Sequence, residues 1–236
     1  MRLREVAGSD IVTVNKTLNP KLWDSGKLNP EVSAKLKEIA AVFQEFLGIE
    51  LEVIDYTITG SNANYTWTDY SDLDLHLLIP GEPTDEQREL FNAKKALWAE
   101  LHNITVKGLP VEVYVQGEDE PHHSTGVYSL VDDKWIVEPK KVQPKVNDAA
   151  IEAKKLSIVH DIETAIVSKD ITKLRAVKDK ITKMRKAGLE RAGEWSTENL
   201  VFKHLRNMGL IDKITQLIMD LEDQELSLEQ QDNSLD

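Results

Sequence analysis

The hydrophobic pattern of this chain changes near residue 144, and that change limits the folds open to it. Before this point, apolar residues at helical spacing alternate with short runs rich in β-branched residues, which are typical of helices and strands respectively. After it, long helical patterns follow without a strand signal. The sequence therefore predicts an α+β fold, in which a mixed β-sheet with flanking helices precedes an all-helical C-terminal domain.

Three segments follow from this pattern. Residues 1–29 combine weak periodicity with turn residues and predict an irregular N-terminal arm. Residues 30–143 form the predicted mixed domain, and residues 144–236 form a helical domain that ends in an acidic tail. Helices are predicted over 30–47, 84–102, 147–168, 171–191 and 197–226, and strands over 49–59, 72–79, 104–106, 109–115, 126–130 and 134–137.

Composition excludes several kinds of site. The 236 residues include no cysteine, so disulfides, thiolate zinc sites and cysteine nucleophiles are ruled out, and any metal must be held by oxygen or imidazole. No apolar run approaches the roughly 20 residues that span a bilayer. The apolar segment of a signal peptide does not follow Met1 to Glu5 either. We expect a cytoplasmic protein without a membrane partner. Neither a nucleophile-elbow motif nor a P-loop motif is present.

Charge is unevenly distributed along the chain. The net charge of −12 argues against bulk attraction to nucleic acid, yet residues 151–213 carry fourteen Lys or Arg against nine Asp or Glu. Lys173, Lys180, Lys183 and Arg191 form a basic stripe within that region. The stripe is either a track for an RNA backbone or an ordinary exposed helix face.

Three acids are candidates for a metal site. Asp72 and Asp74 flank Leu73 in a predicted strand, so both carboxylates project from one face. Glu112 stands alone in the later strand Val111-Glu112-Val113. Magnesium binds through one or two carboxylates together with substrate phosphates, and Gly60-Ser61 would let a backbone turn approach those phosphates. The alternative is a polar outer strand face beside an ordinary turn.

The order of these motifs resembles the DNA polymerase β-like nucleotidyltransferase superfamily. Its signature is a hydrophobic stretch with Gly-Gly or Gly-Ser, then Asp-x-Asp or Asp-x-Glu between apolar residues, then a third acid on a later strand. The corresponding residues here are Ile58-Thr59-Gly60-Ser61, Asp72-Leu73-Asp74-Leu75 and Glu112. The runs Gly60 to Trp67 and Ser71 to His76 are also similar to stand-alone bacteriophage nucleotidyltransferases.

The resemblance implies a nucleotidyltransferase-type sheet and a function. Asp72, Asp74 and Glu112 would be catalytic and would hold Mg²⁺, as two ions, or Mn²⁺. Gly60 and Ser61 would bind the nucleotide, together with Lys203 of the helical domain. The protein would transfer a nucleoside monophosphate from an NTP such as ATP to a hydroxyl of RNA such as tRNA, of a protein or of a small molecule, in the host cytoplasm if phage-encoded.

Two other functions and a few other residues stay open on the sequence. The chain is alternatively a catalytically silent nucleotide-binding module, or an interaction protein that acts through its C-terminal helices and tail. Tyr65 and Trp67 would either stack on a base or anchor their loop. His76 lies on the face of the acids, while His122-His123 lack a third metal ligand.

Overall fold

The computed structural model describes residues 14–120, 124–142 and 146–227, which form two compact units, 14–142 and 146–227. The residues before 14, His122-His123 and the acidic tail from 228 lie outside the described residues. The first unit contains β1 Trp23–Asp24, β2 Lys27–Leu28, α1 Pro30–Leu47, β3 Asp55–Thr59, β4 Leu73–Ile79, α2 Asp85–Leu101, β5 Thr105–Val106, β6 Leu109–Gly117, β7 Val127–Ser129 and β8 Lys134–Val137. The second contains α3 Asp148–Ser168, α4 Ile171–Ala192, α5 Thr197–Asn207 and α6 Leu210–Leu226.

A six-stranded mixed sheet forms the centre of the first unit. Its strand order is β5-β6-β4-β3-β7-β8. Strands β4 and β6 are parallel and are joined through α2, whereas the other neighbours are antiparallel. A parallel pair requires such a crossover connection. The predicted α+β class, with flanking helices and a helical segment after the sheet, is confirmed.

One face of β4 packs into the hydrophobic core with α1 and α2. Leu73, Leu75 and Leu77 are fully buried and belong to the same core cluster as Phe43 of α1 and Trp98 of α2. The rings of Phe43 and Trp98 meet edge to face at 5.4 Å. Because side chains alternate along a strand, this burial turns Asp74 and His76 toward the opposite face.

The described part of the N-terminal arm differs from the irregular segment expected. β1 and β2 form a small hairpin, and Leu22 is fully buried. Trp23 stacks on Trp135 at 4.7 Å and meets Tyr128 edge to face at 5.0 Å. These contacts join residues about a hundred positions apart, so no local period in the sequence reveals them.

The helical unit has its own core, formed by all four helices. Its fully or nearly fully buried members include Ile162, Leu174, Ile181, Leu200, Val201, Leu205 and Ile214. Asp170 and Ser196 are the N-caps of α4 and α5, since Asp170 accepts from the amide of Lys173 and Ser196 from that of Asn199. In the described ranges, no helix has both the length and the apolar character required to cross a membrane.

The prediction of one helix over 197–226 is wrong. Helix α5 ends at Asn207 and α6 begins at Leu210. Gly209, between them, has φ 69° and ψ 12°, the left-handed conformation that commonly ends a helix. The apolar pattern continues across this break because both helices bury one face in the same core.

Candidate metal centre

The three predicted acids come together on the polar face of the sheet. Asp74 lies on β4 and is in register with Glu112 of the parallel neighbour β6, and Asp72 immediately precedes β4. One oxygen from each of the three carboxylates lies within 4.8 Å of the others, and all three residues are half-buried. The spacing lets one cation, or a closely spaced pair, contact all three groups.

Gly60 fits against the carboxylate of Asp74. The glycine follows β3, whose last residue, Thr59, pairs with Asp74. Its backbone has φ 72° and ψ −160°, a region that is essentially restricted to glycine. A Cβ at this position would overlap Oδ2 of Asp74 and lie 2.9 Å from its Cγ. Gly60 therefore leaves the space that the Asp74 carboxylate occupies.

Hydrogen bonds from two directions fix the turn that carries Ser61. Residues Ser61–Ala63 form a single 3-10 turn. The Ser61 hydroxyl donates to Oγ of Ser71 at 2.9 Å, and the Gly60 amide donates to Oγ of Ser124 at 3.1 Å. Ser61 is half-buried beside the acids' strand. Its phosphate-binding role stays a prediction.

Asn62 is a residue whose importance sequence reasoning missed. Its side-chain amide donates to the carbonyl of Asp72 at 2.7 Å, and its Oδ1 accepts from the amide group of Asn19 at 2.8 Å. Its backbone carbonyl accepts from the indole N–H of Trp23 at 2.7 Å. The side chain of Asn62 is completely buried. Asn62 thus links the N-terminal arm and the Gly60-Ser61 turn to the backbone of Asp72.

Two donors converge on one oxygen of Glu112. Oε2 accepts from the hydroxyl of Tyr114 at 2.5 Å and from Nζ of Lys95 at 3.1 Å. Burial raises the pKa of Glu112, but the Tyr114 hydrogen bond and the Lys95 ammonium outweigh it and hold that pKa below its usual value. Burial and the carboxylates of Asp74 and Glu112 raise the pKa of Tyr114, which stays a donor.

Polar side chains continue along the same face behind the acids. His76 of β4 stacks on Tyr114 of β6 with ring centres 4.7 Å apart, and its Nε2 lies 3.1 Å from Oγ1 of Thr59. His76 is on the face of the acids, as alternation predicts. Tyr114 could have been found in the sequence, because it lies two residues after Glu112 on one strand. Lys95 has no such local signal.

The other sequence candidates have different surroundings. Lys203 is half-buried on α5 of the helical unit, and its contact with a triphosphate stays a prediction. The Trp67 indole donates to the carbonyl of Thr17 at 3.0 Å, and the Lys141 ammonium lies 4.8 Å from the ring centre of Tyr65. Both aromatic rings are thus engaged within their own unit, which favours the loop-anchoring interpretation.

Every cation of the basic stripe has an acidic neighbour. The pairs are Lys173 with Asp170 at 3.7 Å, Lys180 with Asp161 at 2.7 Å, Lys183 with Asp179 at 2.7 Å and Arg191 with Glu198 at 2.5 Å. Counter-charges at this range reduce the positive potential that an RNA backbone would meet. The structure therefore favours an ordinary helix face over a track for RNA.

The donor set fits a hard divalent cation. All three ligating groups are carboxylates, and oxygen donors suit Mg²⁺ and Mn²⁺. The space left by Gly60 holds the Asp74 carboxylate against the turn, where a larger residue would displace it. Asp72, Asp74 and Glu112 are therefore the residues that would bind a metal ion.

Comparisons with known proteins add little to this geometry. No family model matches the chain, and no curated protein matches it. Among solved structures, it is similar to the STING-associated CdnE c-di-GMP synthase from Capnocytophaga granulosa, with 11% identity over 84% of this chain and 83% of that chain, and a TM-score of 0.23. A TM-score this low does not establish a shared fold.

Proposed function

We propose that the protein is a divalent-metal-dependent nucleotidyltransferase, which transfers a nucleoside monophosphate from an NTP to a hydroxyl and releases pyrophosphate. One observation carries this proposal: the carboxylates of Asp72, Asp74 and Glu112 converge beside a glycine whose missing Cβ makes room for Asp74. The order of elements supports it too, because helix, strand, Gly-Ser, Asp-x-Asp strand, helix and acid-bearing strand follow one another as the resemblance implies.

Each residue of the centre has a proposed role. When bound, the cation supplies charge stabilisation for the transferred phosphoryl group. Asp72, Asp74 and Glu112 would bind it, and the Gly60-Ser61 turn, held by Ser71 and Ser124, contacts the phosphate oxygens.

Glu112 is the proposed base. Its carboxylate accepts the proton of the acceptor hydroxyl, whose oxygen forms a bond to the α-phosphorus while the bond from that phosphorus to pyrophosphate breaks. The Tyr114 hydrogen bond and the Lys95 ammonium lower the pKa of Glu112 and so keep the carboxylate ionised at neutral pH. Lys203 is a proposed triphosphate contact, and the acceptor is an RNA, a protein or a small molecule.

Pyrophosphate release tests the proposal. Purified protein is incubated with each of the four NTPs, with Mg²⁺ or with chelator, and with or without total tRNA. We expect Mg²⁺-dependent release that Asp74→Asn lowers at least a hundredfold. Asp132→Asn, which removes an exposed acid in the turn between β7 and β8, should leave the rate unchanged. Equal release by wild type and Asp74→Asn would refute the proposal, and Mg²⁺-dependent nucleotide binding without release would identify a silent binding module.

A further inference from the structure

Two adjacent lysines on α2 have different surroundings. Nζ of Lys95 lies 3.1 Å from Oε2 of Glu112 and 3.4 Å from the ring centre of Tyr114. Nζ of Lys94 instead donates to the carbonyl of Phe46 at 3.2 Å and lies over the Phe46 ring. Only 29% of the Lys95 side chain is exposed. Neighbouring positions on a helix point about 100° apart, so Lys95 reaches the acids and Lys94 reaches Phe46 near the end of α1.

Lys95 and Tyr114 act on the same carboxylate oxygen. The Tyr114 hydroxyl donates to Oε2 of Glu112, and the Lys95 ammonium contacts both this oxygen and the face of the Tyr114 ring. Cation–π attraction and the ion pair therefore hold the ammonium in one place. His76 packs against Tyr114, so the ring itself is supported.

The charge of Lys95 matters because three carboxylates share a small volume. Like charges within 5 Å repel one another, and partial burial strengthens that repulsion. The positive charge of Lys95, in contact with Glu112, offsets part of this repulsion while no cation is bound. The Lys95 ammonium also repels a divalent cation that approaches the three carboxylates, since the ammonium and the cation would both lie close to Glu112.

We propose that Lys95 is a built-in counter-charge and positioning residue of the acidic cluster: its ammonium holds Glu112 in place without metal and weakens divalent-cation binding to the three carboxylates. This inference rests on the proposed metal centre and adds a determinant of its affinity. A simple anchor between α2 and β6 would also stabilise the fold, but it would not alter cation affinity.

Mn²⁺ titration followed by electron paramagnetic resonance separates these roles. Lys95→Met should bind Mn²⁺ at least threefold more tightly than wild type, because a unit charge within several ångströms of the ion is removed. The melting temperature of Lys95→Met in chelator should fall, and added Mn²⁺ should raise it by more than in wild type. Lys95→Arg retains the charge and should stay within twofold of the wild-type affinity.

Lys94→Met is the matched control. It removes the adjacent positive charge from a side chain that contacts Phe46 rather than the acids, and it should leave the Mn²⁺ affinity within about twofold of wild type. Lys95→Gln provides a second neutral variant should the methionine variant fold poorly. Equal or weaker Mn²⁺ binding by the neutral Lys95 variants would overturn the inference while leaving the metal centre intact. Failure of wild type itself to bind Mn²⁺ would overturn both.

Discussion

Gly60 and Asp74 share a space that cannot hold another carbon atom, since a Cβ on Gly60 would overlap Oδ2 of Asp74. Gly60 directly follows β3, and Asp74 is one of the three acids of the candidate metal centre. This shared space explains why a glycine precedes Ser61, because both the backbone conformation and the carboxylate position require one.

Gly60→Ala should therefore damage both stability and activity. The alanine must adopt an unfavourable backbone conformation and displace Asp74, so we expect a loss of about 3 kcal/mol in the free energy of unfolding and at least a hundredfold loss of pyrophosphate release. Urea denaturation and the pyrophosphate assay measure these effects. Gly26→Ala is the control, since Gly26 also has a positive φ, 84°, but open space around its Cβ position. It should cost about 1 kcal/mol and no activity, and equal effects of the two substitutions would contradict this account.

Asn19 and Asn62 should be energetically coupled. Each side chain is almost completely buried, and the amide of Asn19 donates to Oδ1 of Asn62. In a double-mutant cycle with Asn19→Ala and Asn62→Ala, urea denaturation should give a coupling energy of about 1–2 kcal/mol. A coupling near zero would show that the arm and the Gly60-Ser61 turn are held together by other contacts.

Tyr114→Phe should impair turnover while leaving the ring contacts in place. The substitution removes the hydroxyl that donates to Glu112 at 2.5 Å but keeps the surface that His76 and Lys95 contact. We expect about a tenfold loss of kcat/KM in pyrophosphate release, whereas Tyr70→Phe, at an exposed position, should behave as wild type. Wild-type kcat/KM in Tyr114→Phe would show that this hydroxyl does not position Glu112.

Glu198 should make the stability of the helical unit depend on pH. Hydrogen bonds from Lys154 and Arg191 hold the pKa of this nearly buried carboxyl at about 2, below its usual 4.5. A lowered folded-state pKa contributes stability that is complete above the unfolded pKa and is lost as the pH falls toward 2. Glu198→Gln should therefore cost about 2 kcal/mol at pH 7 and about half of that at pH 3.

Denaturation midpoints between pH 3 and pH 7 test this dependence. Glu163→Gln, which changes an exposed acid on α3, should shift stability little at any pH. A cost of Glu198→Gln that is the same at pH 3 and pH 7 would rule out a pKa-linked contribution.

The sequence predicted helix ends and strand faces well where interactions between residues close in the chain determine them. Pro30 begins α1, Gly48 ends it in a left-handed conformation, and Thr84 forms a capping box with Gln87. The alternation of Asp72, Leu73 and Asp74 correctly predicted one buried and one polar face. The break at Gly209 was missed because the apolar spacing runs through it, although a glycine within a helical pattern was a visible warning.

Contacts between distant residues account for what the sequence did not predict. The role of Asn62 depends on Asn19, Trp23 and the carbonyl of Asp72, which lie on other segments of the chain. Lys95 approaches Glu112 only because α2 crosses between the two parallel strands. The spacing of residues in a single sequence does not predict such a contact.

The central claim is that Asp72, Asp74 and Glu112 form a metal–nucleotide centre. Crystals grown with Mn²⁺ and a non-hydrolysable NTP test it most directly, because anomalous diffraction locates manganese independently of any assumed geometry. We expect an anomalous peak within bonding distance, about 2.2 Å, of oxygens from Asp72 and Asp74, with the triphosphate on the Gly60-Ser61 turn. Bound nucleotide with manganese elsewhere, or no peak at these three carboxylates, would contradict the account.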